Sequence, residues 1–148
     1  MEAIILAGIQ GAGKSTFSRD RYWDTHIRIN YDMLRTRHRE KLLIEACLEA
    51  KQSFVVDATN PLMADRERYI AKAKAARFKV VGIEFQISTA IAISRNASRV
   101  GKKRVPEKAI YATAAKFQSL SFDEGFDEIW LVTVTSDGLK IEEKRHAL

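Results

Sequence analysis

The chain has 148 residues and 16.8 kDa, enough for one domain around a single core, and its 46% hydrophobic and 30% charged content excludes a disordered chain. Its 25 Lys and Arg against 19 Asp and Glu leave a net charge of +6, which favours polyanionic partners. A single cysteine, Cys47, excludes an internal disulfide and fits a reducing compartment. The apolar run near the start is too short for a signal sequence, and no stretch approaches the ~18 apolar residues of a membrane span. The expectation is a cytoplasmic protein with no membrane partner.

Five rounds of apolar strand followed by helix are predicted in chain order. Strands fall at 2–8, 27–30, 53–58, 78–85 and 128–134, and helices at about 14–22, 33–52, 62–77, 88–99 and 106–119. Runs such as Lys79-Val80-Val81-Gly82-Ile83 suit strands buried on both faces, as in a parallel sheet. Asn60 is read as an N-cap before Pro61 at the first helical position, with Ser88 and Pro106 opening two further helices. Cys47 falls on the apolar stripe Leu43/Cys47/Ala50 and reads as a core thiol. The alternation predicts a doubly wound α/β sheet of about five parallel strands, with helices on both faces and a helical or loop lid. Residues 1–135 form the expected domain, and the charged residues 136–148 a tail or short appended element.

In such sheets, ligand groups collect beyond the carboxyl ends of the strands. The first strand runs into Gly8-Ile9-Gln10-Gly11-Ala12-Gly13-Lys14-Ser15, a complete G-x-x-x-x-G-K-[ST] pattern between strand and helix. Gly8, Gly11 and Gly13 allow backbone N–H groups to turn onto an anion, and the helix N-terminus adds its positive dipole end. Gln10, Ala12, Lys14, Ser15 and Thr16 complete the expected phosphate site, with Lys14 reaching the β- and γ-phosphates of ATP and Ser15 ligating Mg²⁺. The second strand ends in Asn30-Tyr31-Asp32, and Arg35 three residues on is expected on the same helical face as Asp32. Asp32 there can accept the proton of an attacking hydroxyl. The third strand ends in Asp57-Ala58-Thr59-Asn60, where Asp57 resembles a Walker B aspartate that orients Mg²⁺ through a water. Thr59 and Asn60 are candidate substrate contacts. Five basic residues between 95 and 104 form a candidate lid at about 95–106, in which Arg95 and Arg99 face the phosphates. A second basic cluster, Arg35-Thr36-Arg37-His38-Arg39, can track a phosphodiester backbone or form the exposed start of a helix. His26 and His146 have no partners at metal-ligand spacing.

Taken in order, the phosphate loop, Asn30/Asp32/Arg35, Asp57-x-Thr59-Asn60-Pro61, Arg95-Asn96 to Arg99 with Val105-Pro106, and Phe117-Gln118 before Glu124-Gly125-Phe126 resemble the kinase domain of the polynucleotide 5′-hydroxyl kinases of the phage and animal end-repair type. The resemblance covers roughly residues 3–132. It implies ATP- and Mg²⁺-dependent transfer of the γ-phosphoryl group to a 5′-OH end of DNA or RNA. It further implies Asp32 as general base, Arg35 as a contact to the acceptor phosphate and Arg99 as the lid arginine. Tyr31 departs from the pattern by replacing a basic residue beside the aspartate. The alternatives are a small-molecule kinase on the same fold, acting on a sugar, nucleoside or antibiotic, and a nucleotide-dependent binding module without catalysis.

Overall fold

The computed structural model describes residues 1–146 and forms one six-stranded sheet of order β2-β3-β1-β4-β5-β6. Its strands are β1 (Glu2–Ala7), β2 (Ile27–Ile29), β3 (Phe54–Val56), β4 (Lys79–Ile87), β5 (Glu128–Thr135) and β6 (Gly138–Lys144). The first five are mutually parallel, with Ala3 opposite both Phe54 and Val80. The helices are α1 (Lys14–Tyr22), α2 (Tyr31–Leu34), α3 (Arg37–Ala50), α4 (Met63–Ala75), α5 (Thr89–Ala97) and α6 (Glu107–Lys116). The doubly wound α/β architecture agrees with the sequence expectation.

Strand periodicity sorts the core into two layers. Ala3, Ile5 and Ala7 point to one face, where they meet Ile44 and Cys47 of α3 and Tyr69, Ile70 and Ala73 of α4. Ile4 and Leu6 point to the other, where Phe17 of α1 packs edge-to-face on Phe85 at 5.2 Å. Cys47 is buried as expected, although Ile44 rather than Ala50 continues its stripe.

Three local expectations are corrected: the helix over 33–52, the Asn60 cap and the place of Pro106. The helix expected over 33–52 is two helices. Asn30 caps α2 by accepting from Met33 N at 2.9 Å, and Arg35 ends it in the left-handed conformation at φ 71°. Thr36 then caps α3 by accepting from Arg39 N at 3.1 Å. Asn60 is not an N-cap. Its φ is 42°, and its buried amide donates to the Leu6 carbonyl at 2.8 Å, so it ties the loop after β3 to the end of β1. Leu62 holds the N-cap position of α4, its N–H bonded to Asp65, and Pro106 likewise precedes α6 rather than beginning it. The chain turns back at Ser136-Asp137 and becomes β6, antiparallel to β5, with Ile141 opposite Val132 and against the α1-side core. Positions 147–148 of the expected tail lie outside the described residues.

One buried ion pair braces the sheet's carboxyl end. The Arg66 side chain has no exposed surface and pairs with both Glu124 oxygens, at 2.8 and 3.1 Å. It also donates to the Asn60 and Gln118 carbonyls. Removing one partner strands a buried charge, whereas replacing both with apolar groups does not. Arg66→Ala should therefore cost about 3–5 kcal/mol in urea unfolding, and Arg66→Met with Glu124→Leu should recover much of that loss.

Candidate functional site

Gly11 and Gly13 give the loop after β1 its shape, with φ of 83° and 88°. A Cβ on Gly11 would lie 2.7 Å from the Ala92 carbonyl oxygen of α5, so the loop seats directly on that helix. Gly13 is the N-cap of α1 and makes no side-chain cap, which leaves the first N–H groups of α1 turned outward for an anion. Lys14 curls back over the loop, its Nζ donating to the Gly8 and Ile9 carbonyls at 2.8 Å each. Burial pushes the Lys14 ammonium down to about 8; the Asp57 carboxylate opposes this, and the Arg99 guanidinium adds to it. Gln10 donates to Thr113 of α6 at 3.1 Å, Ala12 is buried, and Gly8 N–H donates to the Thr59 carbonyl at 2.9 Å.

Asp57, 2% exposed at the end of β3, is the hub of the site. Its Oδ2 accepts from Ser15 Oγ at 2.8 Å and from Arg28 Nε at 2.9 Å. Arg28, in β2, also reaches Ser15 Oγ at 3.4 Å. The Asp57 backbone carbonyl accepts from the Asn30 amide at 2.9 Å. One residue thereby joins the end of β3 to β2, to the residue after it and to the start of α1. Sequence reasoning passed over Arg28. The available signal was period-2 alternation, which puts a charged Arg28 on the same face as Asn30 in a short strand.

Asp32 sits in the first turn of α2 with an exposed side chain, directly after this junction. Arg35 is exposed as well, but it does not share a helical face with Asp32, because it occupies the left-handed C-cap beyond the last turn. Thr59 is half-buried, and it meets the phosphate loop through its backbone carbonyl.

Beside the loop lies a cleft of ≈ 550 Å³ lined by Gly11, Gly13, Thr16, Arg95, Arg99 and Leu139, among others. Arg95 donates to the Gly11 carbonyl at 3.4 Å, and Arg99, just past the end of α5, lines the cleft. The segment after α5 is pinned rather than loose: buried Asn96 donates to the Val105 carbonyl at 2.7 Å and accepts from Val105 N–H at 2.9 Å. Leu139 shows that β6 contributes a wall of the cleft.

The family model described as an AAA domain matches residues 33–120, more than half of the chain. A curated relative, the bifunctional polynucleotide phosphatase/kinase of Schizosaccharomyces pombe, is 31% identical over 133 residues. The match takes in 86% of this chain and spans 32% of that protein, about a third of its length. Among solved structures, Kti12 of Chaetomium thermophilum in complex with ADP-AlF3 superposes with a TM-score of 0.67 at 16% identity, over 88% of each chain. A sugar kinase from Janibacter sp. HTCC2649 gives 0.66 at 14% identity, over 90% of this chain and 85% of its own. At those identities the structures speak to the fold alone.

The Lys14 geometry has a pH consequence. A lysine whose folded pKa lies below its unfolded value binds fewer protons folded than unfolded between the two, so stability rises with pH across that window. Between pH 8 and 10.5 the wild type should gain up to about 3 kcal/mol of unfolding free energy relative to Lys14→Met. Denaturant melts of both proteins across that range measure the difference.

Proposed function

The chain belongs to the AAA-domain family and has a P-loop kinase fold, and from that premise we propose that it transfers the γ-phosphoryl group of ATP to the 5′-hydroxyl end of a polynucleotide. The observation that carries this reading is the junction at Asp57. It ties the phosphate loop, through Ser15, to Asn30 and so to an exposed carboxylate, Asp32, at the mouth of the same sheet edge. The relative that is a bifunctional polynucleotide phosphatase/kinase supports the acceptor class. Asp57-Ala58-Thr59-Asn60 is not a phosphatase Asp-x-Asp motif, which favours the kinase half of such a protein.

In the proposed reaction the 5′-oxygen forms a bond to the γ-phosphorus as the bond from that phosphorus to the β,γ-bridging oxygen breaks. The hydroxyl proton passes to Asp32, and ADP leaves. Gln10, Ala12, Thr16 and the glycines hold the donor phosphates, while Lys14 and Arg99 balance the charge that develops on the transferred group. Arg95 flanks the same phosphates, and Thr59 and Asn60 border the acceptor path. The Ser15 hydroxyl and Asp57 carboxylate, 2.8 Å apart, are hard oxygen donors that fit Mg²⁺. Among the described residues no group of three or more His, Cys, Asp or Glu could hold a metal. Ser15 and, through a water, Asp57 would hold such an ion. Such an ion, when bound, screens the phosphate charge.

Incubation with γ-labelled ATP and 5′-OH oligonucleotides, DNA and RNA, single- and double-stranded, tests the reading directly. Label should appear on at least one of them. Its absence from all, in folded protein supplied with Mg²⁺, would move the assignment to a small-molecule acceptor. Asp32→Asn should remove transfer by at least about a hundredfold, the lower range for a general base, with ATP affinity nearly unchanged. Arg35 yields a paired expectation. An arginine at φ 71° is strained where glycine is not. Arg35→Gly should raise the unfolding free energy by up to about 1 kcal/mol while raising the acceptor KM and leaving the ATP KM alone. An unchanged acceptor KM would remove Arg35 from the acceptor site.

A further inference from the structure

Tyr31 stands next to the proposed base, and its ring is occupied on one side in an unusual way. The Arg37 guanidinium lies over it, 4.2 Å from the ring centroid. On one continuous helix, residues six apart are about 120° away from each other around the axis and do not meet. The contact exists only because the chain breaks at Arg35 and restarts at Thr36. Arg37 is itself held. Its Nη1 donates to both Glu40 oxygens, at 2.9 and 3.1 Å, and lies 3.3 Å from the Tyr69 hydroxyl. Glu40 is buried, and it also accepts from Tyr69 at 3.2 Å. A buried carboxylate on α3 thus fixes a guanidinium that fixes an aromatic ring. The ring is only half-buried and belongs to neither face of the sheet's core.

A plain staple between α2 and α3 needs no aromatic ring, since the caps at Asn30 and Thr36 already set the turn. A rigid, cation-backed π-face one residue from Asp32 and four from Arg35 has a different use. Resting on the polynucleotide kinase reading above, we infer that Tyr31 is the stacking platform for the 5′-terminal nucleobase of the acceptor. Arg35 then lies on the side of the adjoining phosphate. Stacking uses the face that every base possesses, so the platform requires a base without selecting which one.

The experiment uses 5′-OH single-stranded oligonucleotides whose first residue carries either a base or an abasic tetrahydrofuran, together with one bearing 5′-terminal 2-aminopurine. Wild-type KM should be about tenfold higher for the abasic acceptor, in the range expected for losing one base–aromatic stack. Tyr31→Leu should raise KM about tenfold for the base-bearing acceptor only, with kcat within about twofold. Tyr31→Trp should restore the difference. Binding without ATP should quench 2-aminopurine in the wild type and in Tyr31→Trp, but not in Tyr31→Leu. Equal use of both acceptors by the wild type, or an equal loss on both in Tyr31→Leu, overturns the platform. Quenching that depends on Tyr31 without any phosphoryl transfer overturns the transferase reading and leaves the platform standing. Transfer with neither quenching nor a base requirement does the reverse.

Discussion

A carboxylate taken out of water must be compensated, and the 2% exposed Asp57 meets that demand with groups from two chain segments. Ser15 comes from the start of α1, Arg28 from β2, and the Asn30 amide binds the same residue's backbone. The strand order β2-β3-β1 makes this possible, because it puts β3 between the other two with all three ends at one edge. Loss of any donor would leave charge or a carbonyl unpaired in a dry place. The requirement that Asp57 be satisfied therefore fixes the relative placement of the phosphate loop and α2. The proposed chemistry inherits its geometry from that single satisfied carboxylate.

Around this hub the structure stiffens the loops that carry function. Asn60 anchors the exit of β3 to Leu6, and Arg66 clamps the same loop from behind through its carbonyl. On the opposite side, the reciprocal bonds between Asn96 and Val105 fold the basic segment back onto the end of α5. Arg95 and Arg99 consequently project from a pinned helix end rather than from a free loop. Preorganised cations do not have to be ordered when a phosphate arrives, so their electrostatic contribution is not consumed by reorganisation.

The strongest periodic signals were legible in the sequence: five parallel strands, the phosphate loop and the candidate groups at three strand ends. What escaped had identifiable competing causes. The helix expected over 33–52 ran through Thr36 because no Gly or Pro marked the break. Yet Thr is a good N-cap, and a non-glycine residue took the left-handed turn. Asn60-Pro61 looked like a cap, but burial gave the amide a better partner in the Leu6 carbonyl. The charge of β6 left it open between a tail and a short appended element, since Lys and Glu suit either an edge strand or a tail. Its apolar alternation of Leu139 and Ile141 after Asp137-Gly138 was the signal available. Arg28 escaped because alternation in β2 puts it on the face of Asn30 but does not name its partner, Asp57, on the neighbouring strand.

The net charge of +6 is not spread evenly over available cations. Arg28, Arg37 and Arg66 are committed to Asp57, Glu40 and Glu124, and so serve the architecture. Among the described residues Arg35, Arg95, Arg99, Lys102, Lys103 and Arg104 have no carboxylate partner within 4.0 Å, and they follow the carboxyl ends of β2 and β4 in the chain. A cation already paired gives little further attraction to a phosphate, whereas an unpaired one retains its field. These six are part of the unpaired charge, and they fall in two segments, one beside the donor cleft and one beside Asp32. A small neutral acceptor would need only the first of these. The second has a physical purpose if the acceptor is itself a polyanion, which is why Arg35 and the ring of Tyr31 bear more weight for substrate class than the phosphate loop does.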